Sequence, residues 1–123
     1  MSNRKKTVYI VDDQLGIQLL LKEIISNEGY QTETFETAKD AIERIHIKKP
    51  DLLFVDYKLP LMSGVEMVQK LEEMEADCPI IMMTGLSEDE VKKNVKTDRV
   101  KEVLLKPFNI EEVKKILKKY AGE

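Results

Sequence analysis

A single cysteine in 123 residues leaves nothing for an intramolecular disulfide and excludes a cysteine metal cluster. That usage fits a reducing compartment, with Cys78 as inert packing. No apolar run approaches the about 20 residues of a membrane span. The opening MSNRKKTVYIVDD is basic and then apolar, but its apolar part is too short for a secretory signal and runs into two acids. A soluble, cytoplasmic protein without a membrane partner is the expectation. Blocks of basic residues are missing as well. The net charge is −3, with acids and bases interspersed. The basic stretch KKILKKY flanks apolar Ile116 and Leu117 at helical spacing, which reads as the solvated face of a helix rather than a nucleic-acid groove. The only histidine, His46, lies near a predicted helix end and reads as a surface residue. There is no internal repeat, low-complexity tract or linker, and the length fits one domain over residues 1–123.

What the chain does have is a strict alternation. Short runs with strand character cover Thr7–Val11, Gln31–Phe35, 52–55, 80–83 and 102–105. Stretches with helical spacing lie between them. The first is expected over residues 14–27, stopped by Gly29, with Ile17, Leu20, Leu21, Ile24 and Ile25 as its apolar stripe. The second runs over Ala38–Ile47 behind a Thr37 cap and closes before Pro50. The third follows Gly64 with Val65, Val68 and Leu71 inward. The fourth, near residues 89–95, has a thin stripe, and the fifth starts near Ile110 with Asn109 as its cap. Met67, Met82 and Met83 read as packing. The first, third and fourth strand runs are almost wholly apolar, as in strands buried on both faces of a parallel sheet. Five such β-α units predict a doubly wound α/β domain, whose working site lies beyond the carboxyl ends of the strands.

Those strand ends carry an unusual set. Asp12 and Asp13 end the first strand, Asp56 the third, Thr84 the fourth and Lys106 the fifth. Two carboxylates about 4 Å apart repel by about 4 kcal/mol at an effective dielectric near 20. A small domain has only about 5–15 kcal/mol of total stability. Lys106 supplies one positive charge against three acids, and a hard cation with oxygen ligands, Mg²⁺, fits the remainder. Metal, ammonium, hydroxyl and carboxylate together suit phosphoryl transfer, with an aspartate as nucleophile. Asp56, at the end of the central and most apolar strand, is the best candidate.

At this point the motifs VDDQ (11–14), VDYKLPLMSG (55–64), MTG (83–85) and LKPF (105–108) matter in combination. In that order, at strand ends, they resemble the response-regulator receiver domains of two-component signalling, over about residues 6–120. The resemblance implies a flavodoxin-like five-stranded parallel sheet in the order 2-1-3-4-5 with helices on both faces. It makes Asp56 the phosphorylated residue and Asp12, Asp13, Asp56 and the Lys58 backbone carbonyl the Mg²⁺ site, with Asp12 acting mainly through a bound water. Thr84 and Lys106 would contact the phosphoryl oxygens. Pro107 would follow a cis peptide bond that helps aim Lys106, and Gly64 would allow the turn after the acceptor loop.

VDDQ followed by Gly16 and Ile17, EGYQT at 28–32 and Lys58 are similar to the stand-alone phosphorelay intermediates of bacterial sporulation. That resemblance implies phosphoryl transfer from a sensor histidine kinase and onward to a histidine phosphotransferase or another downstream protein. The alternative is the receiver part of a larger transcriptional regulator. A phosphatase is disfavoured, because Lys58 stands where aspartyl-nucleophile phosphatases place a second acid. Lys58 and Leu86 would flank the water path and make self-hydrolysis slow. Leu15 and Leu19, opposite the core stripe of the first helix, are the candidate docking residues for a helical partner. Three places depart from the family pattern: Gly85 for the usual alanine, Val103 for a frequent aromatic or histidine, and Arg99–Val100 for the usual Gly-Ala. The first should loosen its loop, the second removes the ring used as a rotameric switch, and the third should reshape the loop before the fifth strand.

Overall fold

The computed structural model describes residues 5–95 and 97–122. Within them, β1 (Thr7–Val11), β2 (Gln31–Phe35), β3 (Leu52–Asp56), β4 (Ile80–Thr84) and β5 (Val100–Leu105) form one parallel sheet in the order β2-β1-β3-β4-β5. The helices between and after them are α1 (Leu15–Asn27), α2 (Ala38–Ile47), α3 (Gly64–Glu73), α4 (Glu88–Asn94) and α5 (Ile110–Tyr120). None of the described helices is long and apolar enough to cross a membrane.

The strand period of two divides the core. Tyr9, Val11, Leu53, Val55, Ile80 and Met82 face one layer with α2, α3 and Val91 of α4. Val8, Ile10, Leu52, Phe54, Ile81 and Met83 face the other, against α1 and α5. Every residue of β1, β3 and β4 is buried, which is why those three runs are nearly free of polar side chains. The strand order reverses between β1 and β3, so the carboxyl ends of these two strands flank the switch point.

Local chemistry sets the element ends. Gly29, at φ +94°, closes α1: its N–H bonds Ser26 O and the Tyr30 N–H bonds Ile25 O, satisfying carbonyls the helix leaves open. Thr37 caps α2, and Ser63 and Asn109 open α3 and α5 with reciprocal capping boxes through Glu66 and Glu112.

Several details differ from expectation. In α1, Leu20 is exposed, Ile17 is half-buried, and Gln18 is buried beside Leu21, Ile24 and Ile25. Leu20 lies at the margin of the stripe, while Gln18 lies within it and has a bonding partner described below. In α3, Met67 is buried with Val68 and Leu71, whereas Val65 is half-buried. β5 begins two residues before the expected position. Ile80 pairs with Val100 and Ile81 with Glu102, so Lys101 is an extra residue in a bulge where the departure at Arg99–Val100 stands. His46 is exposed, and Cys78 is buried, its thiol pushed up to about 11 by desolvation, as an unreactive packing residue would be.

Candidate functional site

The parallel ladder continues just past the strands and holds the loops that carry the polar set. Tyr57 N–H bonds Met83 O at 2.8 Å, Lys106 N–H bonds Thr84 O at 2.7 Å, and Asp12 N–H bonds Phe35 O at 3.0 Å. Asp12, Asp56 and Thr84 are thereby held buried at the sheet edge, and Asp13 is exposed beside them. Asp13, Gln14, Asp56, Lys58, Thr84, Gly85, Leu86 and Lys106 line a cavity of about 500 Å³.

Lys106 is the electrostatic hub. Its Nζ lies 2.9 Å from Asp12 Oδ2 and 3.4 Å from Asp56 Oδ2, and donates to Gln14 Oε1 at 3.2 Å. Two of its three donors are thus engaged by Asp12 and Gln14, and Asp56 is held as an ion pair. Asp56 still holds its proton more tightly than an ordinary carboxyl. Burial is the main cause and the Asp12 charge the next, opposed by Lys106 and by the Lys58 N–H. Asp12 Oδ1 accepts the Gln14 N–H at 2.8 Å, and Thr84 Oγ1 accepts the Leu86 N–H at 2.9 Å. The Lys106–Pro107 peptide is cis.

Asp12, Asp13 and Asp56 each place a carboxylate oxygen within 4.8 Å of the others, an acidic cluster that could hold a metal ion. All three donors are hard oxygens, the kind Mg²⁺ prefers, and one acid is exposed to solvent where water ligands can enter. The donor set therefore fits the ion. Lys58 lines the same cavity.

The sequence located the acids, Thr84 and Lys106, but not what surrounds them. Gln14 was part of a motif without a role, and it bonds Lys106. Gly64 was expected to serve a turn. Its N–H closes the loop onto Tyr57 O at 3.1 Å, and what the closure demands is the missing side chain: a Cβ there would collide with Asp56 O and sit 3.0 Å from Tyr57 Cα. The left-handed residue of this loop is Leu61, at φ +69°, enclosed by a Met62 N–H to Pro60 O bond of 2.8 Å. Nothing in a leucine signals that geometry. Leu15 and Leu19 are exposed, and Leu20 joins them. Val103 lines a groove between α4 and β5, and the Tyr57 hydroxyl accepts a 2.7 Å bond from Asn94 Nδ2 at the end of α4.

Comparison with known proteins places this geometry in context. A family model for the response regulator receiver domain matches residues 8–118. Sporulation initiation phosphotransferase F of Bacillus subtilis is 34% identical over 120 residues, covering 98% of this chain and 95% of that protein. The DNA-binding transcriptional regulator NtrC of Proteus hauseri is 31% identical over 109 residues, 89% of this chain but 23% of the regulator. The chemotaxis protein CheY4 of Vibrio cholerae superposes with a TM-score of 0.88 at 27% identity, covering 95% of this chain and 99% of that one.

Proposed function

The chain belongs to the response regulator receiver domain family, and from that premise we propose that it is a phosphorelay intermediate that accepts a phosphoryl group on Asp56. The observation that carries the reading is the meeting of Asp13, Asp56, Thr84 and Lys106 around one open cavity at the switch point of the sheet, with buried Asp12 joined to them through Lys106 and the acid cluster.

An Asp56 carboxylate oxygen attacks the phosphorus of a phosphohistidine on a sensor kinase. The new P–O bond forms as the P–N bond breaks, and the imidazole leaves with the electron pair and takes up a proton. Mg²⁺ held by Asp12, Asp13, Asp56 and the Lys58 carbonyl would supply positive charge for the transferring oxygens. Lys106 is already tethered beside Asp56 and can turn its ammonium to a phosphoryl oxygen. The Thr84 hydroxyl, positioned through its bond from Leu86, donates to another. Onward transfer reverses these bond changes on a histidine phosphotransferase or another downstream protein. Leu15 and Leu19, exposed on the helix that follows Gln14 of the cavity wall in sequence, would receive the helical partner. The match to a sporulation phosphotransferase along nearly its whole length supports the relay reading. The chain would act as a phosphoacceptor and not turn over free substrates. Lys58 and Leu86, both at the cavity wall, would keep self-hydrolysis slow.

Intact mass after incubation with acetyl phosphate, with and without Mg²⁺ and beside Asp56→Asn, tests this. A single phosphoryl adduct requiring both Mg²⁺ and Asp56, and persisting for minutes after donor removal, is expected. No adduct would refute the phosphoacceptor reading, and decay within seconds would refute slow hydrolysis. The match to NtrC favours a second reading, the receiver part of a transcriptional regulator. That version predicts the same adduct but no transfer to a histidine phosphotransferase.

A further inference from the structure

Among the described residues, the buried polar or charged ones are Thr7, Asp12, Gln18, Asp56 and Thr84. Three of them belong to the site, and Thr7 starts β1 at the opposite end of the sheet. Gln18 is the remaining one. It occupies a core-facing position of α1, 7% exposed, in a stripe otherwise made of Leu21, Ile24 and Ile25. A leucine there would add apolar burial, whereas a buried amide is costly unless bonded. Its Nε2 donates to the backbone carbonyl of Asp12.

That carbonyl is a telling acceptor. Asp12 lies one residue beyond β1, and its N–H still bonds Phe35 O. Its side chain is fixed separately, by the Gln14 N–H on one oxygen and Lys106 on the other. The carbonyl belongs to the planar peptide unit that leads into Asp13. Asp13 is the exposed acid of the cluster, and the bond from Gln18 fixes the plane from which it projects. Ligand geometry in metal sites depends on such outer partners, whose loss commonly weakens metal binding about 10–100-fold.

We propose that Gln18 is a positioning residue for the metal site: by holding the Asp12–Asp13 peptide it presets Asp13 for Mg²⁺ without touching the ion. This rests on the receiver reading above. The test is a Mg²⁺ titration of the full chain, followed through the Asp13 and Gln14 amide resonances, with thermal denaturation of the same samples. Gln18→Met is neutral, close in size and unable to donate. Gln18→Asn keeps the amide but is one methylene too short. Ile42→Val, in the opposite core layer, controls for stability alone. Both Gln18 variants should raise the Mg²⁺ Kd about tenfold, and Ile42→Val should leave it unchanged even if its Tm falls. A Kd within twofold of the parent in both Gln18 variants, or an equal rise in Ile42→Val, overturns the positioning role while leaving the receiver reading intact. Absence of Mg²⁺ binding by the parent chain would instead overturn both.

Discussion

Burial and the Asp12 charge oppose ionisation of Asp56, and Lys106 offsets only part of that opposition. The folded chain therefore binds this proton more tightly than the unfolded chain does. The direction for stability follows: the contribution is fully present below the ordinary carboxylate pKa and is lost as pH rises through the elevated folded value. Asp56→Asn removes the opposed charge. It should melt at a higher temperature than the parent at neutral pH, with the advantage shrinking as pH falls through the elevated folded value and lost once pH is below the ordinary carboxylate pKa. Thermal melts across that range decide the matter, and a pH-independent advantage would refute charge as the cause. The acid itself was legible because an apolar run ending on a carboxylate is unusual. Its pKa was not legible, because it depends first on how deeply the folded sheet edge buries it and then on distances to Asp12 and Lys106, which are 44 and 50 residues away in sequence. Gly64 is similar: the residue can be read off the chain, but the contact with the Asp56 backbone that requires it cannot.

Among the elements, α4 is the most weakly held. Its buried side chain is Val91, and the other residues of the helix are charged or, at Asn94, a polar amide. The thin stripe made this visible in the sequence. Its second tether was not visible. Asn94 Nδ2 bonds the hydroxyl of Tyr57, the residue immediately after Asp56. With valine at position 103, no aromatic ring there can pair with Thr84, so the Tyr57–Asn94 bond is a physical link between the acceptor loop and α4 that does not involve that position. Tyr57→Phe keeps the ring and deletes the bond, worth up to about 1 kcal/mol. Amide exchange at 91–95 should quicken by a few-fold while the global Tm barely moves. Unchanged exchange across α4 would show that the bond does not hold the helix. The early start of β5 has a different origin. The bulge at Lys101 accommodates an extra residue between β4 and β5, a register that only the paired strand defines.

At the scale of the whole molecule, the two layers have different duties. The α1–α5 side brings Leu15, Leu19 and Leu20 to the surface on the helix that follows Gln14 of the cavity wall, while that helix buries Leu21, Ile24 and Ile25. Leu15 and Leu19 are 66% and 56% exposed and contribute little to the core, so replacing them separates recognition from folding. Leu15→Ser with Leu19→Ser should leave acetyl phosphate labelling and Tm nearly unchanged and should slow transfer with a histidine phosphotransferase at least tenfold. Equal relay rates would show that this face is not the docking surface.

Residue order along the chain suffices for the alternation of strands and helices, the burial of β1, β3 and β4, and the identity of the acid, hydroxyl and ammonium groups at the strand ends. These are local or periodic properties: side-chain direction repeats every two residues in a strand, and apolar content reports burial directly. Tertiary structure alone decided which atoms meet. The salt bridges of Lys106, the bond from Gln18 to Asp12, the close approach of Gly64 to β3 and the reach of Tyr57 to Asn94 all depend on how loops from separate strands are juxtaposed. No residue type encodes such contacts, because each exists only once the sheet order brings distant segments to the same edge.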